Sequence, residues 1–217
     1  MSELARPHVG PGLPRGRNSL PPDVVGSAQR DRLLRAMIAA TAEHGYAGVM
    51  IADVVRRAKV SRNAFYAHFA DKESCFLAAV DVGVELMFGR IEDAVRDEAD
   101  AVARLHRGLG AYLRFLADEP EFAWTFLVEA PGPAARARFV AAHERFAAVN
   151  RAWYADLRRR DASWPEVPDD VFVALVGAVH ELVAARVRAR AAAELPALED
   201  TVVRLHVALL RGWAGRD

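Results

Sequence analysis

Residues 51–72 read IADVVRRAKVSRNAFYAHFADK, and the spacing within them describes two short helices meeting at a tight turn. In the first half Ile51, Val54, Val55 and Ala58 fall at i, i+3, i+4 and i+7, one apolar face of a helix. Lys59 and Val60 interrupt that period, and Ser61 supplies the side-chain oxygen that a helix start needs for its unpaired N–H groups. A second helix therefore begins at about Arg62. On it Ala64, Phe65, His68 and Phe69 gather on one side, and Arg62, Asn63, Tyr66 and Ala67 on the other. The first side can pack on the preceding helix. The second offers a guanidinium, an amide and a phenol beside one small residue that lets the backbone approach closely. Those groups suit hydrogen bonding to base edges and phosphates in a major groove wide enough for a helix. This is the geometry of a helix-turn-helix whose second helix does the reading.

The flanks extend the pattern. Ahead of the motif, Leu33, Leu34, Met37, Ile38 and Thr41 recur at helical spacing, with Ser27 as a cap and Gly45 as the terminator. Behind it, Asp71 caps a helix expected to run to about Asp97, turning Phe76, Leu77, Val80, Val84, Met87, Phe88 and Ile91 inward. Further helices are expected over about 101–118, 121–129, 134–160, 169–192 and 197–213, the prolines at 120, 131, 133, 165 and 168 separating them. No stretch carries a convincing strand pattern. The fold class is thus all-α. The last two helices have wide apolar faces, Phe172, Leu175, Val176, Val179, Leu182 and Val183 on one and Leu198, Val202, Leu205, Leu209 and Trp213 on the other, a width that implies packing on two sides.

Ala58-Lys59-Val60-Ser61, then Phe65-Tyr66-Ala67-His68-Phe69, then Asp71-Lys72-Glu73 resembles the signature of the TetR-type (TetR/AcrR) transcriptional regulators, with the resemblance running from about Ala28 to Ala79. It departs from the signature at Lys59, where the family has a turn glycine, and at Met50, where it has a serine or threonine that caps a helix and can touch phosphate. A non-glycine residue in a left-handed turn costs about 1 to 2 kcal/mol. The resemblance implies a three-helix DNA-binding head over 27–75 after a flexible arm over 1–26, and a larger helical body over 76–217 for effector binding and dimerisation. It implies a homodimer through the last two helices on a pseudo-palindromic operator in double-stranded DNA, and a repressor released by a small hydrophobic effector. Arg62 and Asn63 then serve as base contacts, Tyr66, His68 and Lys72 as phosphate contacts, and Ala67 as the point of close approach. The effector pocket falls among the aromatic and polar residues of the middle helices: Phe88, Tyr112, Phe115, Trp124, His143, Phe146 and His180.

Composition sets limits on other classes. The formal net charge is zero, yet residues 1–75 hold eleven Lys and Arg against seven Asp and Glu, a basic end of the kind a nucleic-acid partner requires. The proline- and glycine-rich start includes Arg15 and Arg17, a composition suited to a minor groove. Cys75 is the single cysteine and lies in an apolar setting, so it reads as a small buried hydrophobe. No apolar run approaches membrane-spanning length and no secretory core opens the chain, which makes a cytoplasmic protein the expectation.

Catalytic motifs fail on spacing. His143-Glu144 and His180-Glu181 open like a zinc-protease motif, but Ala147 and Ala184 stand where the second histidine belongs. Gly108-Leu109-Gly110 follows no strand and meets Leu113 in place of a third glycine. Neither an enzyme nor a bound metal or cofactor is expected. One rival stays open: a helical ligand-binding or protein-interaction module that keeps the helix-turn-helix only as scaffold.

Overall fold

Caps and prolines set most helix ends in this chain, as a computed structural model of residues 22–129 and 132–213 describes it. The elements are α1 (Pro22–Gly48), α2 (Ile51–Ala58), α3 (Arg62–His68), α4 (Lys72–Val95), α5 (Ala101–Asp118), α6 (Pro120–Leu127), α7 (Gly132–Arg160), α8 (Asp169–Arg188) and α9 (Glu199–Arg211), with a 3-10 segment at Ala192–Leu198. There is no strand among the described residues. Asp71 and Asp100 hold the first turns of α4 and α5, their carboxylates accepting from the N–H groups of Ser74 and Ala103 at 2.7 Å each. Pro120 opens α6, where a missing N–H costs nothing.

Three expectations need correction. α1 begins at Pro22, so Ser27 lies inside the helix and residues 22–26 are no arm: proline is tolerated in a first turn, and Gly26 lies against the ring edge of His68. The remainder of the expected arm, with Arg15 and Arg17, lies outside the described residues. α8 stops at Arg188 and α9 starts only at Glu199, because Pro196 sits in a tighter 3-10 segment between them. Trp213 lies beyond the end of α9 and is exposed, so it does not extend that helix's inward face.

Gly45 breaks α1 at φ 69, ψ 151, a region open essentially to glycine alone. Leu33, Leu34, Met37, Ile38 and Thr41 of α1 are all buried, and with Val54, Phe65, Phe76, Val80 and Met87 they join the head to the body in one continuous core. Cys75 is buried there too, and burial pushes its thiol up to about 12. A second cluster fills the far end of the body around Trp153, Tyr154, Trp164, Phe172 and Leu175. Trp153 donates to the Ala101 carbonyl at 2.7 Å and Tyr154 to the Pro165 carbonyl at 2.8 Å, so each buried ring spends its polar edge on the backbone.

The link between head and body is close. α1 packs on α2, α4 and α6, while α4 packs on α5. A Cβ added at Gly83 of α4 would lie 2.1 Å from the Phe122 ring of α6, so only glycine permits that approach. At the junction after Gly45, the Tyr46 N–H donates to the Glu129 carboxylate at 3.3 Å.

Candidate nucleic-acid interface and body cavity

The turn between α2 and α3 is built on Lys59, which follows α2 at φ 54, ψ 47 in the left-handed region. The Val60 N–H reaches the Val55 carbonyl at 3.1 Å and the Lys59 N–H reaches Arg56 at 3.3 Å, the paired bonds of a Schellman ending. Met50 offers α2 no side-chain acceptor; instead the Asp53 carboxylate accepts from the Met50 N–H at 3.4 Å. Ser61 caps α3 by accepting from the Ala64 N–H at 3.1 Å.

α3 is two-sided. Phe65 is 0% exposed and Phe69 is buried beside it, their ring centroids 5.7 Å apart. On the opposite side Arg62, Asn63, Tyr66 and Ala67 are exposed, Tyr66 at 46%. Arg62 donates to the Tyr66 hydroxyl at 3.3 Å and lies 5.7 Å from its ring centroid, an i, i+4 pair that holds guanidinium and phenol side by side on the surface. Lys59 is exposed as well, whereas Arg56 and Arg57 are paired with Asp53 and Glu43.

His68 and Lys72 sit differently from these four. His68 is half-buried, its ring beside Phe69 and under Gly26. The Lys72 ammonium donates to the carbonyls of Tyr46 and Val49, both at 3.0 Å, and stands 4.3 Å from the Tyr46 ring centroid. Two of its three N–H donors thus clamp the α1–α2 junction. Burial, then the nearby charges of Glu73 and Asp71, raise the Tyr46 phenol above its ordinary value.

Inside the body is a cavity of about 130 Å³. Tyr112, His143, Phe146 and His180 line it, while Phe88, Phe115 and Trp124 do not. Phe88 backs the wall through Phe146 at 4.5 Å, Phe115 packs on Phe122, and Trp124 faces away under Arg190. The spacing missed Arg104 and His206, which also reach the cavity. Their positions are helical and unremarkable in sequence, so nothing short of the packing brings them together. Arg104 is the one ordinarily charged lining residue, and it is spent on Asp156 at 3.2 Å and the Glu98 carbonyl at 2.8 Å. His143 and His180 share a hydrogen bond at 3.0 Å, and burial holds both rings below their ordinary pKa. His206 is 1% exposed, bonds the Val202 carbonyl through Nδ1 at 2.7 Å and is likewise held low by burial.

Among the described residues no helix is long and apolar enough to cross a membrane. Residues 33–79 match the family model described as bacterial regulatory proteins, tetR family. A curated relative, the uncharacterized HTH-type transcriptional regulator YerO of Bacillus subtilis (strain 168), is 24% identical over 103 residues, 46% of this chain and 36% of YerO, so the match spans about a third of that relative. Among solved structures, the fatty acid degradation regulator FadR from Bacillus halodurans superposes with a TM-score of 0.76 at 18% identity, covering 87% of this chain and 97% of that one. FadR from Bacillus subtilis in complex with stearoyl-CoA gives 0.73 at 17% identity, covering 84% and 98%. A helix-turn-helix that matches the tetR family model over residues 33–79 is thus set on a helical body that shares the fold of these solved structures.

Proposed function

We propose that the chain is a dimeric, sequence-specific DNA-binding regulator of the cytoplasm, a repressor whose grip on its operator is released by a small hydrophobic molecule. The observation that carries this reading is the outward face of α3: Arg62, Asn63, Tyr66 and Ala67 are exposed together while Phe65 and Phe69 anchor the helix. Arg62 and Asn63 read base edges, Tyr66 and His68 meet phosphate, and Ala67 admits the backbone to the groove. Lys72 adds the first-turn backbone N–H groups of α4 and its remaining ammonium donor. Residues 27–75 act as the head and 76–217 as the body.

The outer face of α8 supports a twofold dimer formed through the last two helices. α8 turns Val173, 59% exposed, outward together with Ala174, Gly177, Ala178 and Ala185, a face whose small residues let a second copy of the helix approach closely. The effector belongs in the body cavity, whose walls are mostly aromatic and aliphatic. Likeness to a regulator solved with stearoyl-CoA agrees with a hydrophobic ligand, although a cavity of about 130 Å³ suits a single ring rather than a stearoyl chain. Release requires that the ligand bind the arrangement unable to hold DNA more tightly than the competent one.

Footprinting on the DNA that flanks the protein's own coding region tests the proposal. Two protected half-sites on one face of the duplex, with centres about 34–36 Å or a multiple apart, are expected. Absence of protection in favour of salt-insensitive binding to another protein leaves the scaffold-only module standing instead.

A further inference from the structure

The cavity carries more than its apolar walls, and its polar groups define what it can hold. A carbonyl oxygen only accepts, so the Nδ1 of His206 that meets the Val202 carbonyl at 2.7 Å must carry the proton. The ring is neutral when buried, which leaves Nε2 with a bare lone pair. No described residue donates to it, and the side chain is 1% exposed in a cavity wall. Tyr112, 6% exposed, lines the same cavity, and its hydroxyl has no hydrogen-bond partner among the described residues. Two side chains more than nine-tenths buried thus bring an unmatched acceptor and an unmatched O–H to one space.

The His143–His180 pair adds to this. One N–H of a neutral pair is consumed at 3.0 Å between the rings, so whichever tautomer holds, the outer nitrogens present one donor and one acceptor. Nothing in the wall offsets a negative charge: Arg104 is already matched by Asp156, and three imidazoles and a phenol are neutral. An ionised carboxylate there would stay unpaired in a low-dielectric site, which is strongly unfavourable.

We infer that the cavity takes an uncharged, single-ring-sized hydrophobic molecule carrying a hydroxyl, whose proton is accepted by His206 Nε2 and whose oxygen accepts from Tyr112. The inference rests on the cavity being the effector site. Size agrees, since about 130 Å³ is close to the roughly 150 Å³ of an apolar cavity that holds benzene.

The test is direct binding to the full chain, by calorimetry or Trp fluorescence, of four matched probes: p-cresol, 4-methylanisole, toluene and p-toluate. p-Cresol is expected to bind about tenfold more tightly than 4-methylanisole, the worth of one hydrogen bond to a buried acceptor, and p-toluate most weakly. In His206→Leu the advantage of p-cresol over 4-methylanisole shrinks to about threefold or less while toluene still binds, with Tyr112→Phe as the second variant. Equal binding of p-cresol and 4-methylanisole to the unaltered protein, or binding of p-toluate as tight as p-cresol, overturns the inference and leaves the effector cavity standing. Failure of all four to bind removes the cavity reading itself.

Discussion

Lys72 shows how one side chain can mean less from its motif than from its neighbours. The signature places it at the start of α4, facing DNA, yet its ammonium lies between the Tyr46 and Val49 carbonyls at 3.0 Å. Those carbonyls belong to the short connection after Gly45, which has few partners of its own, and Lys72 fixes the approach of α2 to α1. Hydrogen bonds from a charged donor are worth about 1.5–3 kcal/mol each, less where water competes. Lys72→Met is therefore expected to lower stability by about 1–2 kcal/mol in urea denaturation, besides weakening operator and random DNA alike. Unchanged stability would mean the clamp contributes nothing. The four exposed residues of α3 were legible in the sequence because a period of 3.6 fixes the two sides of so short a helix once Phe65 and Phe69 are assigned inward. What Lys72 bonds was not legible, since its partners lie 23 and 26 residues away and are backbone atoms.

Among the elements, α5 illustrates what sequence specifies well: Asp100 caps one end, Pro120 follows the other, and the helix spans Ala101–Asp118 as expected. Its neighbours show where local signals fail. The proline- and glycine-rich run before Ser27 read as helix-breaking, but a proline in the first turn of α1 breaks nothing. Between α8 and α9 the apolar period persists through a 3-10 segment, which keeps Leu195 and Leu198 buried while changing the helix type. The cavity was legible only in part for a related reason. Periodicity tells which side of a helix is apolar, not which neighbour it meets, so Phe115 and Trp124 belong to other contacts while Trp153 and His206 converge from helices far apart in sequence. The contact of α4 with α6 at Gly83 carries its own consequence. A methyl there must displace Phe122, which is fully buried, and overpacking of this kind costs about 1–3 kcal/mol. Gly83→Ala should thus reduce Tm measurably in a thermal melt, and a melt matching the unaltered protein would show that the two helices separate freely.

At the scale of the molecule, one buried and two half-buried imidazoles tie the body to pH. Burial holds His143, His180 and His206 below the ordinary value of 6.5, so the unfolded chain takes up their protons more readily than the folded one. The stability that goes with neutral rings is fully present above about pH 6.5 and is lost as pH falls through the lower folded values. The carboxylates of Asp53, Asp71 and Asp161, which hydrogen bonds to Arg56 and Ser74 or Ser163 hold low, lose their contribution only in a more acid window, below their ordinary 3.8. Thermal unfolding is expected to show Tm declining between pH 7 and 5, with a shallower decline in His206→Leu; a flat profile would place these rings in contact with water.

On the proposed reading DNA recognition is also a property of the whole assembly, because a twofold dimer brings two copies of α3 to one operator and both contribute to its choice of sequence. Loss of Arg62 then acts twice, at about 1–3 kcal/mol for each bidentate base contact, and leaves the phosphate term nearly intact. The decisive measurement is the ratio of operator to random-duplex affinity for the unaltered protein and for Arg62→Ala, each at two salt concentrations. If α3 reads the operator through Arg62, the ratio collapses in the variant while random-duplex affinity falls by no more than about one charge's share of the salt dependence. Equal losses on both duplexes, with the ratio preserved, would contradict it.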